Sequence, residues 1–445
     1  METKKHQLEE WISRRIGQEA NRLTRERLEQ YQLEKLQETI SWATTKSSFY
    51  QKLFENMDTE ITSIDDMCKL PFTTADHLQE KALQFLCVSQ DEINRVVTLQ
   101  TSGTTGQGKR LFFTAADLES TIDFFGQGMS ILAEPGDRVL ILLPGERPGN
   151  VGDLLATALT RNGITPVPHG IVSSISRTIE VIENKEINVI VGIPTQVLAL
   201  ARYASQVAQK SFRIKSVLLS TDYVPQSIVD EIKQVWSCDV FEHYGMTEMG
   251  FGGGIDCQAH EGYHLRSADF YWEIIDPDTL EPVPDGQLGE VVFTTLTRRG
   301  MPLIRYRTGD ISRALPQRCS CGAVLRRLCR ITNRKNGRIF LTQEQYFTLP
   351  ELDEALFAIK NILTYSVSVD NRHQVKKLSI LAIVADISRL GLIQEINKAL
   401  DRVPAINWGR QTGILEIEVR AVPYSDDIFT GTAKRTVAEW SGDGN

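Results

Sequence analysis

No apolar run in the 445 residues approaches the roughly 20 needed to cross a bilayer. The opening Met1-Glu2-Thr3-Lys4-Lys5-His6 lacks the apolar core of a secretory leader, so a cytoplasmic protein with no membrane partner is expected. Basic residues form no stripe. With 49 Lys and Arg against 57 Asp and Glu the net charge is -8, which argues against nucleic acid as the main partner. Seven cysteines, an odd number spread over a long chain, do not make a disulfide framework in a reducing compartment. Repeats and low-complexity segments are also lacking. What remains, 41% hydrophobic and 24% charged, is ordinary globular protein with material for two or three cores. Any polyanion must therefore be held locally.

One segment is built for that. Thr101-Ser102-Gly103-Thr104-Thr105-Gly106-Gln107-Gly108-Lys109 follows the strand-like run Val96-Val97-Thr98-Leu99-Gln100. Glycines let backbone N–H groups approach phosphate oxygens, hydroxyls add donors, and the lysine adds charge. A surface turn also favours Gly and Ser. Gly103, Gly108 and Lys109 fit the first seven positions of the Gly-x-x-x-x-Gly-Lys-Ser/Thr loop as well, but the eighth is Arg110. That loop must open a helix, whereas Leu111-Phe112-Phe113-Thr114 is rich in β formers. The spacing predicts a loop joining strand to strand.

Up to about residue 55 the pattern is charged and helical, an N-terminal arm with Leu33, Leu36 and Ile40 at helical spacing. Between about 137 and 244, strand and helix alternate five times, which predicts a mostly parallel sheet covered by helices. From about 263 to 330, alternating strands and turn signals such as Pro284-Asp285-Gly286 predict antiparallel sheet. The rest reads as a small α+β domain: a helix near 352–360, a strand pair near 364–385, a helix over 387–400 and a strand near 414–421. The expected fold is α/β. A large N-terminal domain (1–333) carries a mostly parallel sheet plus an antiparallel β region, and a small mobile α+β domain (334–445) follows.

Two further segments carry chemistry. Glu242-His243-Tyr244-Gly245-Met246-Thr247-Glu248 ends the fifth strand, where α/β sheets place ligands; an aromatic can stack on a base, Thr247 can bond a phosphate, and Glu248 can hold a cation. A plain strand-to-loop exit would look similar. In Arg305-Tyr306-Arg307-Thr308-Gly309-Asp310, a carboxylate after a glycine turn is suited to ribose hydroxyls, and equally to a β-turn.

In order and separation, the three segments resemble the motifs of the adenylate-forming ligase superfamily: Thr-Ser-Gly-Thr-Thr-Gly-x-x-Lys, Tyr-Gly-x-Thr-Glu and Tyr-Arg-Thr-Gly-Asp. Within it the chain is most similar to phenylacetate-CoA ligase and related synthetases, from near Tyr31 through Arg330-Ile331-Thr332, and more loosely beyond. The resemblance implies that Thr101, Ser102, Gly103, Thr104, Thr105, Gly106 and Lys109 hold the β- and γ-phosphates of ATP. Ser220, Thr221 and Asp222 would contact adenine and Tyr244 would stack on it. Thr247 would meet the α-phosphate, Glu248 would bind magnesium, Asp310 would hold the ribose, and Arg334 would lie beside an interdomain hinge. The implied activity is AMP-forming ligation of an aromatic or other small carboxylic acid to coenzyme A. A carrier-protein thiol is the alternative acceptor, a homodimer is compatible with this reading, and a nucleotide-binding homologue that no longer ligates is the reading from another class.

A structural zinc site is also expected. Cys257-x6-His264 and Cys319-Ser320-Cys321 together supply a Cys3His set, which the similar ligases share; His260 is the rival ligand, and unrelated buried cysteines are the alternative. Cys68, Cys87, Cys238 and Cys329 are read as core residues.

Three positions depart from the family pattern. Asn336 replaces the hinge carboxylate, Gln343 stands where a glycine is expected, and Thr432 takes the place of the C-terminal lysine that stabilises charge during adenylation. Losing such a donor costs about 10²- to 10³-fold in rate. Lys434 can substitute only if the segment is extended, displaced by roughly 6–7 Å. The loop Pro144-Gly145-Glu146-Arg147-Pro148-Gly149-Asn150 is the candidate neighbour of the acid, with Arg147 as its charged contact, or else a structural turn.

Overall fold

A computed structural model describes residues 7–19, 22–99, 108–331, 333–334, 337–429, 431–432 and 434–440. Contacts divide the chain into two compact units. The first comprises Met1–Leu132, Thr157–Asn162 and His243–Thr332; the second comprises Ala133–Ala156, Gly163–Glu242 and Asn333–Asn445.

In the first unit, the helix Arg25–Lys46 starts at Thr24, whose Oγ1 accepts the Arg27 N–H at 3.3 Å. Its buried face is Leu28, Gln32, Leu36, Thr39, Ile40 and Ala43, a stripe in which each residue has a neighbour three or four positions away. The strands Ile93–Leu99 and Lys109–Thr114 pair antiparallel with Leu99 opposite Lys109, so the glycine-rich loop does join strand to strand. Thr114 then caps the helix Ala115–Met129 in a reciprocal box with Asp117. Antiparallel strands Phe270–Ile275, Gly289–Thr295 and Tyr306–Ser312 follow as their alternation predicts. One core gathers Phe49, Tyr50, Phe85, Phe113, Trp272, Phe293 and Tyr306.

The second unit holds the parallel strands in the order Thr165–Pro168, Arg138–Leu142, Val189–Gly192, Ser216–Leu219, then the strand beginning at Asp239. The chain moves to one side of its first strand and then to the other, which makes the carboxyl end of Arg138–Leu142 a topological switch point. All nine residues of the helix Pro194–Arg202 are buried: Val197 to Ala201 form a continuous apolar run, and the polar Gln196 and Arg202 are hydrogen-bonded to backbone carbonyls. The final segment forms strands Leu415–Pro423, Lys376–Val384, Ile362–Asp370 and Ala438–Trp440 in that spatial order, with three helices. Its apolar residues, among them Leu356, Phe357 and Ile380, share one core with Leu140, Val197 and Ile228.

Two elements differ from expectation. The helix expected over 387–400 begins only at Leu392, because Gly391 at φ +77° breaks the chain into the left-handed region, leaving Ile387 and Leu390 exposed. The helix Pro404–Gln411 is not among the expected elements, although proline at a first helical position signals a start.

Arg202 is fully buried where the helix Leu349–Phe357 ends. Its Nη2 donates to the Phe357 carbonyl at 2.6 Å, and Nη1 donates to those of Ile359, at 3.0 Å, and Ile362; Glu231 lies at 3.8 Å. The three residues that offer these carbonyls are at most 4% exposed. Arg202→Met is therefore expected to lower the unfolding free energy by about 3 kcal/mol, the order found when one partner of a buried charge network is removed; urea titration of the full chain checks this, and a loss below about 1 kcal/mol contradicts it.

Candidate active site

Lys109 opens the strand after the glycine-rich loop and is only 15% exposed in its side chain. Thr101, Ser102, Gly103, Thr104, Thr105 and Gly106 lie outside the described residues. The Lys109 ammonium donates to Glu248 Oε1, and lies 3.4 Å from the Tyr306 hydroxyl. Tyr306 in turn donates to the same Glu248 oxygen at 3.0 Å. Burial, then the Glu248 charge, push the Tyr306 hydroxyl far above its ordinary range, so it remains a donor.

Glu248 sits in the short helical turn Thr247–Met249, closed by Gly250 at φ +63°. The turn follows Tyr244-Gly245, where a Cβ on Gly245 would fall 2.3 Å from the Phe251 carbonyl oxygen. The glycine of this motif is thus demanded by a backbone contact. Tyr244 is buried with its ring 5.9 Å from that of Tyr263, and its hydroxyl donates to Asp310 Oδ2 at 2.9 Å. The structure therefore brings Lys109 to Glu248 and Tyr244 to Asp310, four of the expected residues from three separate motifs.

Also in the first unit, Cys257, His264, Cys319 and Cys321 place their ligand atoms within 4.8 Å of one another. Cys257 and Cys319 sulfurs are 3.6 Å apart, and Cys321 Sγ is 3.4 Å from His264 Nε2. His260 is paired instead with Asp256, at 2.7 Å. Cys87 and Cys238 are buried as expected, whereas Cys68 is exposed and Cys329 half-buried.

In the second unit, Ser220-Thr221-Asp222 leaves the carboxyl end of Ser216–Leu219. Thr221 has φ +75°, a left-handed conformation that strains a β-branched residue and is characteristic of functional loops. Burial raises the Asp222 carboxyl, opposed by Arg435, Arg334 and Lys434. Arg435 is anchored: Nη1 donates to Asp353 Oδ1, which also accepts from the Tyr365 hydroxyl at 2.6 Å. Burial pushes the Asp353 carboxyl up to about 6, with Arg435 pulling the other way. Lys434 is exposed and lies on no helix; beside it the Thr432 carbonyl accepts from Gln196 Nε2 at 3.0 Å. Arg147 is exposed on the loop at the switch point. Asn336 lies outside the described residues.

Sequence reasoning left Tyr306 and the Asp353–Tyr365–Arg435 group without a role. Tyr306 had a signal, as the residue heading the Asp310 motif. Arg435 had one too, as the last residue of the segment in which Thr432 replaces the family lysine, but Asp353 and Tyr365, 82 and 70 positions before it, had none.

A family model described as "AMP-binding enzyme" matches residues 27–296. Phenylacetate-coenzyme A ligase of Pseudomonas putida is 26% identical over 345 residues, 75% of this chain and 76% of that protein. The ligase of the same name from Thermus thermophilus is 25% identical over 360 residues, 78% of this chain and 79% of that protein. The crystal structure of 2-hydroxyisobutyryl-CoA ligase in complex with 2-HIB-AMP is similar with a TM-score of 0.77 and 19% identity, covering 94% of this chain and 90% of that one. At that identity the likeness speaks for the fold.

His243 precedes Tyr244 with its ring 6.3 Å from those of Phe124 and Phe125, and burial lowers its pKa to about 4. An unfolded histidine takes its proton near pH 6.5, so the unfolded chain binds more protons between the two values. Stability should then fall as pH drops from about 6.5 towards 4, by at most about 3 kcal/mol. In His243→Asn that part of the slope is expected to disappear from urea titrations at pH 5 and 7; an unchanged slope contradicts it.

Proposed function

Because the chain belongs to the AMP-binding enzyme family, we propose that it is an ATP-dependent, AMP-forming ligase that joins an aromatic or other small carboxylic acid to coenzyme A through an acyl-adenylate. The observation that carries this is the Lys109–Glu248–Tyr306 contact at the foot of the glycine-rich loop. A cation suited to phosphate and a carboxylate suited to a divalent ion meet there, each holding the charge that a metal-bound triphosphate would bring.

In the proposed reaction a substrate carboxylate oxygen attacks the α-phosphorus of ATP, and the bond to the β-phosphate oxygen breaks, releasing pyrophosphate. The coenzyme A thiolate then attacks the acyl carbon and AMP leaves with the carboxyl oxygen. Lys109 and residues 101–106 hold the β- and γ-phosphates, Thr247 meets the α-phosphate, and Tyr244, Ser220, Thr221 and Asp222 receive the adenine. Asp310, fixed by the Tyr244 hydroxyl, receives the ribose. Glu248, a carboxylate 3% exposed, fits a magnesium ion, which when bound neutralises phosphate charge. Lys434 is the candidate substitute for the lysine missing at Thr432: it lies in a bend and on no helix, and a second cation, Arg435, is anchored next to it. The acid is assigned to the switch-point loop with Arg147, and Arg334 to the hinge of a small domain over 334–445. A carrier-protein thiol remains the alternative acceptor, distinguished by product masses with each.

The four-residue cluster is proposed to bind structural zinc. A tetrahedron with Zn–S of about 2.3 Å and Zn–N of about 2.0 Å has edges of roughly 3.5–3.8 Å, close to the 3.6 and 3.4 Å separations. Four protein ligands leave no position for substrate. One zinc per chain surviving dialysis is expected, lost with destabilisation in Cys319→Ser; a metal-free protein of equal stability contradicts the site.

Pyrophosphate exchange into ATP, measured over a panel of aromatic and short aliphatic acids, tests the activity. Exchange with at least one acid is expected, reduced about 10²-fold or more in Glu248→Gln. No exchange with any acid, in folded protein that still binds ATP, would favour the homologue without ligation that the departures at Thr432 and Asn336 permit.

A further inference from the structure

Arg298 lies in the turn after Gly289–Thr295 and is 9% exposed, a buried cation to which neither motif nor family pattern gave a role. Its Nη1 donates to the carbonyl oxygen of Glu248 at 2.8 Å, and its Nη2 donates to that of Phe112 at 3.0 Å. The guanidinium carbon lies 4.4 Å from the centre of the Phe113 ring. Phe112 and Phe113 belong to the strand that Lys109 opens. One planar, rigid group therefore grips the strand of the phosphate-binding lysine with one nitrogen and the turn of the metal-binding carboxylate with the other.

The surroundings keep that grip in place. A Cβ on Gly300 would lie 2.7 Å from Thr114 Cγ2 and 3.1 Å from Asp117 Oδ2, so only glycine lets the 298–300 turn settle against the end of the Lys109 strand. Thr121 Oγ1 donates to the Gly250 carbonyl at 2.9 Å and holds the far side of the Glu248 turn. Burial lowers the Arg298 pKa, opposed by the charges of Asp117 and Glu248. A desolvated guanidinium that spans two carbonyls from different elements fixes the distance between them.

We infer that Arg298 is a positioning residue for the nucleotide: it sets the separation of Lys109 and Glu248, and through it the tightness with which magnesium-bound ATP is held. The inference rests on the nucleotide reading given above. Arg298 touches no substrate in this account and acts only through the two backbone segments. Lysine in its place can reach one carbonyl but lacks the fork that spans both.

The test is the dissociation constant of magnesium-ATP, by calorimetry on the full chain, in wild type, Arg298→Lys, Glu248→Gln and the double variant, with thermal melts to confirm folding. Arg298→Lys is expected to weaken binding about tenfold in the wild-type background and less than about twofold beside Glu248→Gln, because the residue works through Glu248. Arg298→Met, which cannot bridge at all, should weaken binding at least as much as Arg298→Lys. An equal factor in both backgrounds, or unchanged binding in folded Arg298→Lys, overturns the inference. Absence of binding in wild type overturns the nucleotide reading and this inference with it.

Discussion

The contact between Lys109 and Glu248 is the constraint around which the first unit is arranged. A lysine and a glutamate 139 positions apart in sequence are held together away from water. A buried ion pair is poor value as a stabiliser, since desolvating both charges consumes most of the attraction unless further hydrogen bonds assist. Here they do: Tyr306 donates to the carboxylate, and Arg298 holds the backbone on both sides. Such an arrangement makes sense if each charge is kept ready for a ligand of opposite charge. In the proposed reaction a triphosphate would take the lysine and a divalent cation the glutamate, so on that reading the pair marks where both would arrive.

The second unit shows a related economy. Asp222 follows a strained Thr221 at the carboxyl end of a parallel strand, and the charges that oppose its desolvation come from Arg334, Lys434 and Arg435. Arg435 is tied to Asp353 and Tyr365, so this part of the C-terminal segment is held by side chains rather than by regular secondary structure. Positive charge is thereby supplied although Thr432 stands where a lysine is expected.

Much of this was legible in the chain. Continuous apolar runs such as Val189–Gly192 announce strands buried on both faces, and Arg110 followed by β formers separated a strand-to-strand loop from a helix-opening one. The pairing of Tyr244 with Asp310 was implicit in two motifs whose residues the family resemblance assigned to one nucleotide. Arg202 and Arg298 could not be read, because an arginine that binds carbonyls leaves no pattern: its partners are backbone atoms, which every residue has. The same holds for Gly245, whose reason is a carbonyl six residues later, and for Gly391, whose left-handed turn shortened an otherwise convincing helix.

Calorimetric titration of the full chain with ATP, with and without magnesium, in wild type, Lys109→Met and Glu248→Gln, bears most directly on the central claim that this pair awaits a metal-bound triphosphate. Lys109→Met should weaken ATP binding under both conditions, because the lysine meets phosphate itself. Glu248→Gln should weaken it with magnesium but leave binding without magnesium unchanged or improved, since the lysine is then released. Two variants that behave alike with and without the metal, or that leave ATP binding intact, would contradict the account.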